Sequence, residues 1–454
     1  MPHSGTSLDP TAPNPLRAYL VIWAWCAALC LLTHLPMLFK LHREGDELVY
    51  LALAERMGWD FSGYTTKDDP RVNSFPYSIY RQDLFHHPPL YPWLLKWGLA
   101  WSDNPFLEVP GVRTPEVKRG ELSPVVPGRV VAFAFLLAVG STLAGTYYAA
   151  RLMRMLGISP ALGGTALVAM TLCPLLLFST VRIHHDALAG LFLFCGFVAF
   201  LESLTENRLA SAIVAAVWLV AGFNLRFNSI LMLPVVAALP FYLRRGTGTA
   251  GGSSEPAGPS RGAWVIPSIV LGSVALLGLQ HFYRLLGTYG SINPSTIIRP
   301  LPEAAQFSPF LTFVETKITR GWILGELALI FPAALLFLTP SVARSVWSAV
   351  RERSAAGAMM LAASFLFLAS LAISYRQLRY FALPMVFVHA CWPLVLQHSL
   401  RGWMRGVALG LAGVTVFLMV TTGFLNATMA EPEQMMLIPS AAMFWPPLQR
   451  AYEF

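Results

Sequence analysis

Eleven apolar runs set the terms for this chain. They lie at roughly 17–39, 127–150, 159–181, 186–204, 209–225, 228–243, 264–286, 321–340, 355–375, 380–397 and 405–425. Crossing a bilayer takes ~17–25 apolar residues as helix, and the backbone must satisfy its own hydrogen bonds there. The two runs between 209 and 243 are the shortest fits. Of the 454 residues 55% are hydrophobic and 12% charged, against roughly 25% charged in a soluble domain. The expected fold is therefore all-α and integral to a membrane: a polytopic bundle of about eleven transmembrane helices. The net charge of +8 is spread among the apolar runs. That distribution suits cytoplasmic anchoring and contact with anionic membrane lipids, and it argues against a nucleic-acid partner.

Basic residues in alternate short loops orient the bundle. With the N-terminus in the cytoplasm, the inner segments hold twelve cations, among them Arg151, Arg154, Arg208, Arg344, Arg351 and Arg353, against five acids. The outer segments take the other 20 of 32 basic and 19 of 24 acidic residues, close to balance. This predicts a cytoplasmic tail (1–16), a transmembrane domain (17–425) with extracytoplasmic loops at 40–126 and 287–320, and an extracytoplasmic tail (426–454). Met1 to Pro15 has no basic leader region, so the first run is expected to remain as a span. All five cysteines fall inside apolar runs without a CxxC pattern, as small core residues would. The Gly- and Ser-rich stretch from Arg244 to Arg261 reads as a flexible cytoplasmic linker.

The first loop carries twelve acids between Glu44 and Glu121. Its opening, Gly45-Asp46-Glu47, follows the first span directly. Leu48, Leu51, Ala52 and then Glu55 suit an amphipathic helix on the bilayer surface. An acidic pair there could do no more than start that helix, where negative charge meets the helix dipole favourably. Leu90 to Trp101, preceded by Pro-Pro, is too short to span and predicts a second interfacial helix. Its Trp93, Trp97 and Trp101 recur every four residues as an interfacial aromatic face.

Between the two predicted helices stands His86-His87-Pro88-Pro89. Neighbouring histidines on an extended segment point to opposite faces, so one of them at most should join a given site, and no metal ligands are assigned. A second polar knot, Arg182-Ile183-His184-His185-Asp186, separates two apolar runs on the same predicted side. Arg226, Arg376 and Arg379 fall on that side too. Ionisable residues at span ends pointing to one layer mark a candidate site, and several arginines suit an anionic phosphate.

These residues carry a resemblance. Asp46-Glu47 after the first span resembles the acidic motif of C-type membrane glycosyltransferases (the GT-C fold). His87-Pro88-Pro89-Leu90-Tyr91-Pro92 is similar to a segment of their protein O-mannosyltransferase-like branch, which includes the aminoarabinose transferases of lipid A. Arg182 through Asp186-Ala187-Leu188 resembles that branch's R-x-D-A-L segment with one extra residue. Arg379-Tyr380-Phe381-Ala382-Leu383-Pro384 resembles its late RY-x-x-P segment. The aminoarabinose transferases have an acidic residue where this chain has His87. The resemblance implies transfer of a sugar from a polyprenyl-phosphate carrier to a lipid, glycan or protein acceptor. The implied location is the bacterial inner membrane, with the site facing the periplasm or exterior. It also implies Asp46 as the catalytic general base, with Glu47 as the second catalytic carboxylate. His86, His87, Arg182, His185, Asp186, Arg226, Arg376, Arg379 and Tyr380 become the residues around substrate and phosphate. A divalent cation is the one cofactor left open.

Three other readings compete. A transporter would place its charges near mid-bilayer on broken helices, and no internal repeat is evident. A lipid-linked glycan polymerase or ligase would carry its large loop late in the chain. A non-catalytic carrier-binding subunit would lack the acid that Asp46 supplies. The topology is checked by cysteine accessibility: a cysteine at position 70 should react from the extracytoplasmic side, and labelling from the cytoplasm alone would overturn topology and site together.

Overall fold

The computed structural model describes residues 15–38, 45–67, 83–100, 108–109, 126–173, 176, 183–244, 264–292, 340–373, 381–398 and 402–428. Among them are fourteen α-helices: α1 (Pro15–Leu38), α2 (Gly45–Arg56), α3 (Leu90–Ala100), α4 (Gly128–Met155), α5 (Pro160–Leu172), α6 (Asp186–Glu206), α7 (Leu209–Phe223), α8 (Leu233–Arg244), α9 (Val265–Ser273), α10 (Gln280–Tyr289), α11 (Pro340–Arg351), α12 (Ala355–Ile373), α13 (Ala382–His398) and α14 (Trp403–Thr428). A 3-10 turn, Phe227–Met232, leads into α8, and a π-type turn, Val274–Gly278, joins α9 towards α10. A two-residue antiparallel ladder pairs Glu108–Val109 with Val126–Pro127.

Ten of the eleven apolar runs coincide with helix, and 321–340 lies almost wholly outside the described residues. The described residues do not by themselves supply eleven spans. Among the described residues three helices are long and apolar enough to cross a bilayer: Leu16–Leu35, Val130–Met155 and Asp186–Glu206. A fourth crossing forms if Val265–Gly278 and Gln280–Tyr289, bent by 41°, count as one. The other apolar helices are of 10–17 residues. Local breaks account for part of the difference. The 3-10 turn interrupts the run that ends in α8, and the run that α5 opens continues into residues outside those described.

The bundle is built around α6. Its sequence is apolar on every side, which suits a helix enclosed by others, and every residue from Asp186 to Leu191 and from Leu193 to Ser203 is buried. It packs on α7, α4 and α13. Small residues permit that closeness, as they do between membrane helices. A Cβ on Gly196 of α6 would stand 2.9 Å from the Leu219 backbone nitrogen of α7, and one on Gly222 of α7 would stand 3.1 Å from that of Leu193. Phe194 and Phe197 meet Phe387 of α13 edge-on. The helix closes at Asn207 in the left-handed region, φ 52°.

Side-chain bonds sort the loops into two ends. At one, Tyr19 in the first turns of α1 bonds to the Ile158 carbonyl. There too the Gln397 amide donates to the Gly157 carbonyl at 3.1 Å, and Arg151 grips Glu202 through Nε at 3.0 Å and Nη2 at 2.6 Å. At the other end a second apolar cluster joins α2 and α3 to the start of α4 and to Ile183, Leu188 and Ala189. Here α2 departs from the amphipathic expectation: Val49 to Ala54 are all buried, because α3 packs across the side that the bilayer surface was expected to leave open. α3 forms as expected, with Trp97 half exposed and Trp101 outside the described residues.

The close approach of α6 and α7 is open to test. Gly196→Val should overpack that contact and cost about 1–3 kcal/mol, read as a lower melting temperature in detergent. Gly140→Ala, where an added Cβ meets nothing within 4 Å, should melt as the parent protein does.

Candidate functional site

The first residue of α6 is Asp186, an acid in the first turn where the helix dipole favours negative charge. Its Oδ1 pairs with an Nη1 of Arg226, and its Oδ2 lies 3.6 Å from His184 Nδ1. The Asp186 and Arg226 side chains are 1% and 4% exposed. A buried pair of this kind is tolerated because each charge neutralises the other; either one alone would be severely destabilising. Arg226 is delivered by an extended backbone, φ −149° and ψ 146°, between α7 and the 3-10 turn.

Local bonds fix that backbone. Asn224 donates from its side-chain amide to the carbonyls of Val220, at 2.9 Å, and Leu277, at 3.0 Å. Its own carbonyl accepts from Leu90 N–H at 3.0 Å, at the head of α3. Ser229 closes the turn onto the Gly222 carbonyl at 2.9 Å.

Glu47, the third residue of α2, is fully buried and accepts from the Ile183 N–H at 2.7 Å. This bond ties the acidic stretch of the first loop to the polar knot before α6. Asp46 is the second residue of α2, and its side chain lies outside the described residues. So do Arg182, Arg376, Arg379 and Tyr380.

Tyr50, one turn beyond Glu47, is where the histidines meet. Its ring packs edge-on against His185 at 4.8 Å, Tyr91 at 5.5 Å, His184 at 5.8 Å and His87 at 6.3 Å, measured between centroids. His87 also stands 4.8 Å from His185. His86 and His87 do not diverge as an extended segment predicts. Their rings are 4.2 Å apart, and both approach Phe227.

The Pro-Pro segment explains that geometry, because it is strapped down at several points. The Tyr64 hydroxyl donates to the His87 carbonyl at 3.0 Å. Burial holds the Tyr64 phenol well above its usual range, so it stays a donor. His281 Nε2 sits 3.3 Å from the His86 carbonyl. The Tyr289 hydroxyl accepts from Leu84 N–H at 2.9 Å and donates to the Leu84 carbonyl at 2.8 Å. Sequence reasoning assigned no site role to Tyr50, Tyr64, Asn224 or His281. The one local signal was the polar group Gln280, His281 and Arg284 near the end of an apolar run.

His184, His185 and Asp186 present ligand atoms within 4.8 Å of one another, the spacing a metal ion needs. In donor type the set fits a divalent cation. In charge it does not, since Asp186 already bears the Arg226 guanidinium and an ion there would stand against that positive charge. The arrangement as it stands is a buried cation, four imidazoles and two carboxylates gathered at one end of an apolar bundle.

The ion pair makes its own prediction. Asp186→Asn should cost about 3–5 kcal/mol by removing the carboxylate paired with the buried Arg226, seen as a lower melting temperature. The double change Asp186→Leu with Arg226→Met should recover most of that loss. A double variant no more stable than the single one would show that the pair does not carry the stability of this end.

No protein-family model matches the chain, and no curated protein matches it. Among solved structures it is similar to the crystal structure of ArnT from Cupriavidus metallidurans in the apo state, at 17% sequence identity and a TM-score of 0.47, with 94% of this chain and 68% of that chain covered.

Proposed function

We propose that the protein is a glycosyltransferase that moves a sugar from a polyprenyl-phosphate carrier to a hydroxyl acceptor on the extracytoplasmic face of the membrane. One observation carries the reading. Three stretches far apart in sequence, around Glu47, His86–His87 and His184–Asp186, meet with Arg226 in one buried polar cluster at a single end of an apolar bundle. A soluble sugar nucleotide would need no apolar bundle. A lipid-linked donor needs both an apolar path for its tail and polar groups where its phosphate ends.

Asp46 takes the acceptor hydroxyl proton as general base. The acceptor oxygen bonds to the anomeric carbon while the bond from that carbon to the phosphate oxygen breaks. Polyprenyl phosphate leaves with the electron pair. Arg226, steered by Asp186, and the imidazoles of His87 and His185 stabilise the departing phosphate. Arg182, Arg376, Arg379 and Tyr380 are further candidates for that role, and Glu47 holds the wall on which the base is mounted.

Asp46→Asn is the decisive variant. A positioned base contributes ~10²–10⁴-fold in rate, so the purified variant should be folded and slower by that factor with a polyprenyl-phosphate sugar. Its place in the first turn of α2 gives a second role, charge against the helix dipole, worth about 0.3–1 kcal/mol. Wild-type turnover in Asp46→Asn would leave only that second role. Mass spectrometry of surface lipids, glycans and glycoproteins from cells with and without the gene would then name sugar and acceptor.

A further inference from the structure

The end of the bundle opposite the histidine cluster carries a helix whose two sides differ sharply. On one side of α11, Val346 and Ala349 pack against the main core. The Tyr242 hydroxyl, in the last turn of α8, reaches the carbonyls of Ala349 at 3.2 Å and Val350 at 3.1 Å. Gly357, in the first turn of α12, lies so close that a Cβ there would be 2.3 Å from the Ala349 carbonyl oxygen. The chain passes from α11 to α12 through Arg353 in the left-handed region, φ 53°. These contacts seat the second half of α11 where two apolar helices, Phe227–Leu243 and Ala355–Ser370, have their ends. In the orientation expected from the basic loops, this end of the bundle faces the cytoplasmic headgroups.

On its other side α11 exposes Ala343, Arg344, Trp347, Ser348 and Arg351. The helix contains no acid. The nearest, Glu352, accepts from the Ser348 hydroxyl at 3.3 Å. Arg344 and Arg351 lie three and four residues either side of Trp347, so all three share one face. Trp347 is 64% exposed, a large apolar ring with no described neighbour over it. An indole flanked by cations at the edge of an apolar bundle matches the chemistry of a membrane interface, where tryptophan sits among headgroups and arginine meets phosphate.

We propose that the Arg344–Trp347–Arg351 face of α11 is a docking surface for anionic phospholipid headgroups. Its position and charge both favour lipid over a protein partner: the face lies at the end expected to meet headgroups, and its two arginines outweigh the one carboxylate beside it, Glu352. It does not depend on the reaction proposed above.

The test uses the full chain reconstituted in nanodiscs of phosphatidylcholine alone or mixed with phosphatidylglycerol. All five native cysteines are buried, so Ala343→Cys gives one reactive position for an environment-sensitive fluorophore. Lipids carrying a quencher near the headgroup should quench it, and more strongly when phosphatidylglycerol is present. In the Arg344→Gln and Arg351→Gln backgrounds the preference for the anionic lipid should fall by about fivefold per arginine. Added salt should remove the same increment from the unaltered face by screening, so the result does not hang on the arginine variants folding. Equal quenching in the two lipid mixtures overturns the proposal. So does a probe reached by aqueous iodide and not by lipid, which means a solvated face, or one shielded from both, which means a protein partner or a second copy.

Discussion

A carboxylate at the head of the most enclosed helix is the constraint on which this structure turns. Asp186 begins α6 with almost no access to solvent. A buried charge must be paired or neutralised, and Arg226 does the pairing. To bring that guanidinium into place, α7 has to stop at Phe223, the chain has to run extended through Arg226, and a 3-10 turn has to intervene before α8. The short helices and broken run on that side follow from one electrostatic requirement. The turn before α6 is fixed in its own right, from across the bundle, by Glu47.

The fold class was readable from hydropathy alone, since apolar length is a property of contiguous residues. Glu47, His87, His185, Asp186 and Arg226 were also readable, because polar residues at span ends are rare enough to stand out. What escaped was tertiary. Glu47 and Ile183 are 136 positions apart, and Leu84 and Tyr289 are 205 apart; no local period records such pairs. Tyr50 looked like one more aromatic in an apolar run until four rings arrived around it from other segments.

The two helices read wrongly or overlooked show the same limit from opposite directions. α2 has a surface pattern on paper and an interior environment in fact, because its neighbours, and not its own sequence, decide what covers it. Hydropathy marks the stretch that forms α11 only by its cations, Arg344 and Arg351, between two apolar runs. Its period was present, with Val342, Val346 and Ala349 at helical spacing, but twelve residues beside longer and more apolar stretches drew no notice.

The bend between α9 and α10 has a mechanical consequence. The π-type turn Val274–Gly278 and the 41° kink beyond it are a place where helical bonding is already irregular. α10 starts just past that kink, and its ten residues form an arm ~15 Å long. Tyr289 at the far end of the arm holds Leu84, and His281 near its pivot holds His86. A change of about 10° in the kink would swing the Tyr289 end by roughly 3 Å on an arm of that length, while the pivot end hardly moved. The segment carrying His86 and His87 is thus gripped at both a fast-moving and a slow-moving point of one lever. Any flexing of the broken helix would twist the histidine pair instead of simply displacing it.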